Sequence, residues 1–367
     1  MDNRGNNKKV AIVTLYGDFN FGNKLQNYAV QEILKSFNYR CSTIRCQNTS
    51  KAIGWKGTLV ALLGFPKHIA KFERLLLKNK NLFRPFSERY LDLGEKINYN
   101  KANGFPLTYD YYITGSDQVW GCVTKEQINY FFLRFVPSYK RLCISPSFGK
   151  DSVPDRTEKL YADGLNGFRH LSCREESGCR IIKELTGRDA VLLCDPTMAI
   201  TKEQWDKIST KPSFELPERY ILTYFLGTAP EEAVNHAKAL SEKEGIPIIN
   251  LYDWNYPEYA SVQPDEFIYL VKHSEHFFTT SFHGCVFSVI YHTPFTVFER
   301  NDMSNSHGRI ETLLKKFGLE NCNGANVKSE NSCDFSDVDN ILEAERKKMY
   351  EYIEMIFTDA EKGDDMQ

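Results

Sequence analysis

Residues 10–37 read VAIVTLYGDFNFGNKLQNYAVQEILKSF, and their hydrophobic period changes in mid-stretch. Val10 to Leu15 is a short apolar run rich in β-branched residues, which predicts a strand. From Lys24 to Phe37 the apolar residues Leu25, Tyr28, Ala29, Ile33 and Leu34 recur at helical spacing and share one face. Between the two lies a glycine-bearing turn, Tyr16-Gly17-Asp18-Phe19-Asn20-Phe21-Gly22-Asn23. A strand that passes through a tight turn into an amphipathic helix is the repeating unit of open parallel sheets.

The alternation continues downstream. Strands are expected at Tyr111 to Thr114, Arg141 to Ser145, Phe168 to Cys173 and Val191 to Cys194. A helical stretch, Lys202 to Ile208, precedes the proline-marked segment Lys211 to Pro217, which reads as a boundary. Beyond it, strands at Tyr220 to Phe225, Pro247 to Leu251, Phe277 to Thr279 and Phe295 to Phe298 alternate with helices. Those helices are Glu231 to Glu244, Asp265 to Lys272, Gly284 to Tyr291 and Arg309 to Phe317. The pattern predicts two Rossmann-like, doubly wound α/β domains, residues 1–210 and 211–335, with a cleft between them. A final helical segment, 336–367, is expected to pack back across both.

Composition narrows the function classes. With 42% hydrophobic and 26% charged residues in a chain of 367, extended disorder is excluded. A formal net charge of −2 argues against a nucleic-acid binder. Charge is nevertheless uneven, about +7 over residues 51–90 and about −7 over residues 331–367. The ten cysteines form no CxxC pair and no zinc-finger spacing, and MDNRGNNKKVAIV has no long apolar core, so a reducing cytoplasm is expected. The apolar stretch Phe277 to Phe298 is broken by His283, His292 and Pro294 and reads as core, not as a membrane span. His273 and His276 lack a third convergent ligand, so no metal is expected.

In open α/β sheets ligands sit at the carboxyl ends of the strands, which directs attention to the βα turns. The first turn misses the Walker pattern, but its backbone N–H groups can meet an anion or a sugar oxygen. Gly115-Ser116-Asp117-Gln118 follows an apolar strand, where Ser116 or Asp117 can equally cap a helix. In Ser172-Cys173-Arg174-Glu175 an arginine stands where a helix begins, against the helix dipole. Either an anionic ligand resolves that conflict, or Arg174 pairs with Glu175 or Asp195. Thr279-Thr280-Ser281-Phe282-His283-Gly284 clusters three hydroxyls and an imidazole at a helix start, a setting suited to phosphate and to proton transfer. The polar turn Glu299 to Arg309 adds Arg300, His307 and Arg309.

Taken in order, DFNFGNKLQNYAVQEIL, YYITGSDQVW, ISPSFG, LSCREESG, CDPTMAI, TTSFHGCVFSVIYHTPF and SHGRIETLL resemble the polysaccharide pyruvyl transferase family. The resemblance implies a GT-B-type pair of Rossmann-like domains and transfer of the pyruvyl unit of phosphoenolpyruvate to a sugar, without a cofactor. It implies His283 as the acid/base. Donor contacts are then expected from Arg174, Ser281, Phe282, Gly284, Arg309, Arg300 and His307. Asn20, Gly22, Asn23, Gln26, Ser116, Asp117 and Gln118 are expected on the acceptor side. Several relatives carry an arginine two residues before the histidine, where this chain has Ser281, so Arg309 or Arg300 is expected to replace its charge. A nucleotide-sugar glycosyltransferase and a catalytically inactive saccharide-binding protein are the alternatives. The basic segment Lys67 to Lys80, KHIAKFERLLLKNK, suits contact with an anionic membrane carrying a lipid-linked acceptor, or an ordinary packed helix.

Overall fold

The computed structural model describes residues 8–17, 20–46, 82–98, 102, 105, 107–122, 124–251, 253, 255–300, 307–326 and 333–364. The basic segment Lys67 to Lys80 lies outside the described residues, as do residues 301–306 of the late polar turn.

The first half comprises β1 (Lys9–Val13), α1 (Phe21–Ser36), β2 (Arg40–Cys46), α2 (Arg84–Tyr90), β3 (Leu93–Ile97), β4 (Tyr111–Thr114), α3 (Lys125–Phe131) and β5 (Arg141–Cys143). Its five strands are parallel in the order β3-β2-β1-β4-β5. Then come α4 (Glu158–Leu165), β6 (Ser172–Cys173), α5 (Glu176–Thr186), β7 (Val191–Leu192), α6 (Pro196–Ala199) and α7 (Lys202–Asp206). The second half comprises β8 (Ile221–Tyr224), α8 (Glu231–Glu244), β9 (Ile248–Asn250), α9 (Pro257–Ala260), α10 (Pro264–Lys272), β10 (His276–Thr279), α11 (Phe282–Tyr291), β11 (Phe295–Val297) and α12 (His307–Phe317). It forms a four-stranded parallel sheet in the order β11-β10-β8-β9. The protein is thus α/β, with a Rossmann-like parallel sheet in each half and a short parallel pair, β6-β7, between them in the chain.

Three features depart from the sequence reading. Helix α1 starts at Phe21, three residues before its apolar periodicity, because Asn20 caps it by accepting from Gly22 N at 2.9 Å. The helix is also buried on nearly every side, its polar residues included. It is pressed between its own sheet and the second half: Phe21 stacks on Phe83, at the start of α2, and on Phe267 of α10. Its buried amides therefore bond internally: Asn27 accepts from Thr43 Oγ1 at 2.7 Å, and Gln31 donates to Thr43 Oγ1 at 2.9 Å and to Asp92 O at 3.0 Å. Second, the runs ending at Cys173 and Cys194 give only the two-residue strands β6 and β7. Backbone pairing continues past β6 as a single contact, Arg174 N to Pro146 O at 3.1 Å. Third, Cys322 and Cys333 are joined in a disulfide, a pairing to which the spacings do not point.

The last helix, α13 (Val338–Asp364), touches both halves. Phe357 packs on Tyr39 and Tyr111, and Tyr352 donates to Cys143 O at 3.2 Å. Towards the second half, Asp339 meets His292 at 3.1 Å and Glu345 meets Lys316 at 2.7 Å. Among the described residues no helix is long and apolar enough to cross a membrane.

Candidate active site

The carboxyl ends of β1, β4 and β6 meet the carboxyl end of β10, and a buried charged cluster forms where they meet. After β4 the chain turns sharply through Gly115 at φ 108° and Asp117 at φ 72°. A side chain at Gly115 would stand 2.3 Å from Ile144 O, so only glycine fits the turn. The turn delivers Asp117 inward, where its carboxylate accepts from Asn23 Nδ2 and, at 3.1 Å, from Arg174 Nη2. Arg174 extends from the end of β6 and donates through Nη1 to Asp195 Oδ2. Asp195 caps α6, and its other oxygen accepts from Thr197 N at 3.0 Å and Thr197 Oγ1 at 2.7 Å. His283, in the first turn of α11, places Nε2 3.6 Å from Asp195 Oδ2.

Asp117, Arg174, Asp195 and His283 are each at most 5% exposed. Burial by itself would raise the two carboxyl groups, but the Arg174 guanidinium together with His283, helped by Arg309 at Asp117 and by Thr197 at Asp195, outweighs it and holds both below the usual carboxylate range. Burial would likewise lower Arg174, and the facing Asp195 and Asp117 instead push it up. The three charges keep one another ionised.

Arg309 behaves differently. It enters from the first turn of α12, and burial together with the neighbouring Arg174 pushes it down to about 10. Its partner is the neutral Gln118, whose amide, turned oxygen-first as the bonding network requires, accepts from Nη2 at 2.5 Å and Nη1 at 3.0 Å. Both guanidinium groups lie over the ring of Phe282, Arg174 at 4.6 Å and Arg309 at 5.6 Å. The Phe282 ring is 5.3 Å from that of His283. Around these rings Arg174 Nε, Arg309 Nε and His283 Nε2 are buried with no hydrogen-bond partner in the protein. Gly22 meets the opposite edge of the imidazole so closely that a Cβ there would fall 1.9 Å from Nδ1.

Of the residues expected on the acceptor side, Gly22, Asn23, Asp117 and Gln118 thus reach the cluster. Asn20 is occupied as the α1 cap. Gln26 and Ser116 are wholly buried inside the first half: Gln26 donates through Nε2 to Thr14 Oγ1 at 2.9 Å while its Oε1 has no hydrogen-bond partner, and Ser116 donates to Ser145 O at 2.8 Å. Of the donor-side residues, Arg174, Phe282 and Arg309 converge on His283.

The hydroxyls before α11 serve the turn more than an open pocket. Thr279 donates to Tyr224 O at 2.8 Å, Thr280 accepts from Leu226 N at 2.8 Å, and Ser281 accepts from Gly284 N at 3.2 Å. Gly284 fits closely against Phe277 and Thr279. Arg300 follows β11 and is partly exposed, and His307 opens α12. Arg174 pairs with Asp195, as one reading of the sequence expected, and also with Asp117, which that reading did not name.

Asp195 and Thr197 were not singled out as site residues, although the strand-end sequence Cys194-Asp195-Pro196-Thr197 carries a legible signal, a carboxylate opening a helix at a strand terminus. Glu175, which the sequence offers as a partner of Arg174, bonds elsewhere. Its Oε1 accepts from Phe148 N at 2.7 Å and Gly149 N at 3.3 Å beside the cluster. Among the described residues no group of three or more His, Cys, Asp or Glu side chains is placed to hold a metal ion.

Solved structures of similar shape include a putative UDP-N-acetylglucosamine 2-epimerase from Listeria monocytogenes, at 11% identity over 91% of this chain and 94% of that one, with a TM-score of 0.46. The UDP-GlcNAc 2-epimerase of Methanocaldococcus jannaschii is 11% identical over 92% and 99%, with a TM-score of 0.46. UGT89C1 of Arabidopsis thaliana, complexed with UDP-L-rhamnose, is 8% identical over 96% and 99%, with a TM-score of 0.49. No curated protein matches. The family model for polysaccharide pyruvyl transferase matches residues 20–302, a span that holds Asn23, Asp117, Arg174, Asp195, Phe282 and His283 and leaves only Arg309 of the cluster outside. The chain belongs to the polysaccharide pyruvyl transferase family.

Proposed function

We propose that the protein transfers the pyruvyl unit of phosphoenolpyruvate to two hydroxyls of a saccharide, forming a cyclic ketal and releasing phosphate. The observation that supports this reading is the pair of buried guanidinium nitrogens without a hydrogen-bond partner in the protein, Arg174 Nε and Arg309 Nε, which lie over Phe282 beside His283. Buried donors without acceptors are costly, and a small ligand bearing a carboxylate and a phosphate would satisfy the two guanidinium N–H groups. Arg174 is already neutralised by Asp117 and Asp195, so Arg309 is the cation whose charge such a dianion would offset.

His283 protonates the methylene carbon of phosphoenolpyruvate, which leaves an electron-poor C2. The first sugar hydroxyl attacks C2 and returns its proton to His283. The bond from C2 to the phosphate oxygen then breaks, the second hydroxyl closes the ring, and its proton leaves with the phosphate. Asp195, fixed by Arg174 and Thr197, holds the imidazole in place through the step, and the positive Arg309 offsets charge on the departing phosphate.

A ligand-stabilisation screen tests the reading. Phosphoenolpyruvate should raise the melting temperature while UDP-sugars leave it unchanged, and a new methyl singlet should appear by NMR when a saccharide is added. Stabilisation by UDP-sugars alone would replace the reading with a nucleotide-sugar glycosyltransferase, and stabilisation by neither would leave a saccharide-binding protein.

A further inference from the structure

A groove of about 630 Å³ runs between the first turns of α5 and α12, one from each half of the molecule. We propose that it seats the saccharide acceptor and that it selects a neutral sugar chain over an anionic one; this rests on the function proposed above. Part of the groove wall comes from the residues next in the chain to the two arginines. Glu176 and Ser177 directly follow Arg174 and Glu175, and Gly308 directly precedes Arg309. There the halves approach closely: a Cβ at Gly308 would stand 3.5 Å from Ser177 Oγ and 3.6 Å from Asp151 Oδ1.

The walls are polar. Thr312 contributes a hydroxyl and Asn323 and Asn326 amides, with Leu314 as an apolar contact. Among the described residues four acidic ones, Asp151, Glu176, Glu311 and Glu320, face two basic ones, Arg180 and Lys315. Carboxylates and amide oxygens accept from sugar hydroxyls, and the acidic excess opposes a uronate or other polyanion. The volume lies within the range of about 300–1,000 Å³ usual for small-ligand sites. Among the described residues no aromatic side chain lines the groove, and the polar groups there offer hydrogen bonds.

Saturation-transfer NMR on the full chain tests this, with lactose, maltose, cellobiose and N,N′-diacetylchitobiose as neutral probes and a hyaluronan disaccharide as the anionic one. At least one neutral disaccharide should receive saturation and the uronate should not. Thr312→Trp, which fills the groove, should weaken that signal at least tenfold, and Thr312→Ser should leave it within twofold. If Thr312→Trp does not fold, Gly308→Leu fills the groove from the wall next to Arg309 instead, at a position where a Cβ meets only ordinary contacts. The proposal is overturned if no neutral probe binds, if the uronate binds as well, or if filling the groove changes nothing. Melting shifts with phosphoenolpyruvate on the same samples separate the two readings. A shift without a disaccharide signal removes the groove assignment alone, and a groove-dependent signal without a shift removes the pyruvyl reading alone.

Discussion

Two arginines rest on one phenylalanine ring, and they do opposite things. Arg174, at the end of β6, is locked between Asp117 and Asp195 and is more firmly charged than an arginine in water. Arg309, in the first turn of α12, is bound to an amide, sits beside a like charge and is pushed down to about 10. The first is matched by the fold; the second is charged at neutral pH at a cost that an incoming anion can offset. Side chains of one type in one cluster therefore differ in how their charge is balanced, and the difference follows from which carboxylates the fold brings to each.

If this contrast is right, the largest effect belongs to Arg174→Ala, which strands two buried carboxylates. Its unfolding free energy, measured by chemical denaturation, should fall by about 3–5 kcal/mol. Arg174→Lys should recover only part, because an ammonium cannot bridge two carboxylates as a planar fork does. A loss under about 1 kcal/mol would show that the two arginines are not different in kind. Next comes His283→Ala, expected to keep its melting temperature and its affinity for phosphoenolpyruvate while losing turnover by about 10²-fold or more; near-normal turnover in the folded variant would remove the acid/base role.

Arg309→Ala sharpens the contrast from the other side. Calorimetric titration should show phosphoenolpyruvate binding weakened by about tenfold, the scale of one charged hydrogen bond, with stability little changed. Unchanged donor affinity would place the phosphate elsewhere. The smallest effect is in acid. Asp117 and Asp195 are held below their ordinary range, so the stability they contribute is complete above pH of about 4 and is lost as the pH falls below it. Acid titration of Arg174→Gln should show a shallower loss over that interval, because the cation that depresses both groups is gone. Identical acid profiles would mean that Arg174 is not what depresses them.

The periodicity of the chain was enough to place most strands and helices, including α8 at the predicted Glu231–Glu244, and to put His283 at the start of a helix beyond a buried strand. These features are local: a period of two or of 3.6 and a capping residue are written within a dozen positions. The sequence also marks Arg174, His283 and Arg309, each at a strand end or helix start, and the resemblance to the family joins them in one expected site. Only the tertiary structure decided how their charges are balanced. The partners of Arg174 lie 57 residues before it and 21 after it, and no local pattern states which carboxylate will face which cation. The same holds for α1, whose polar face reads as solvated until the second half covers it, and for Gln26 and Ser116, whose polar groups suggest a ligand until the first half buries them. Burial and ion pairing are properties of where distant segments meet, and that is determined by the packing of the two sheets.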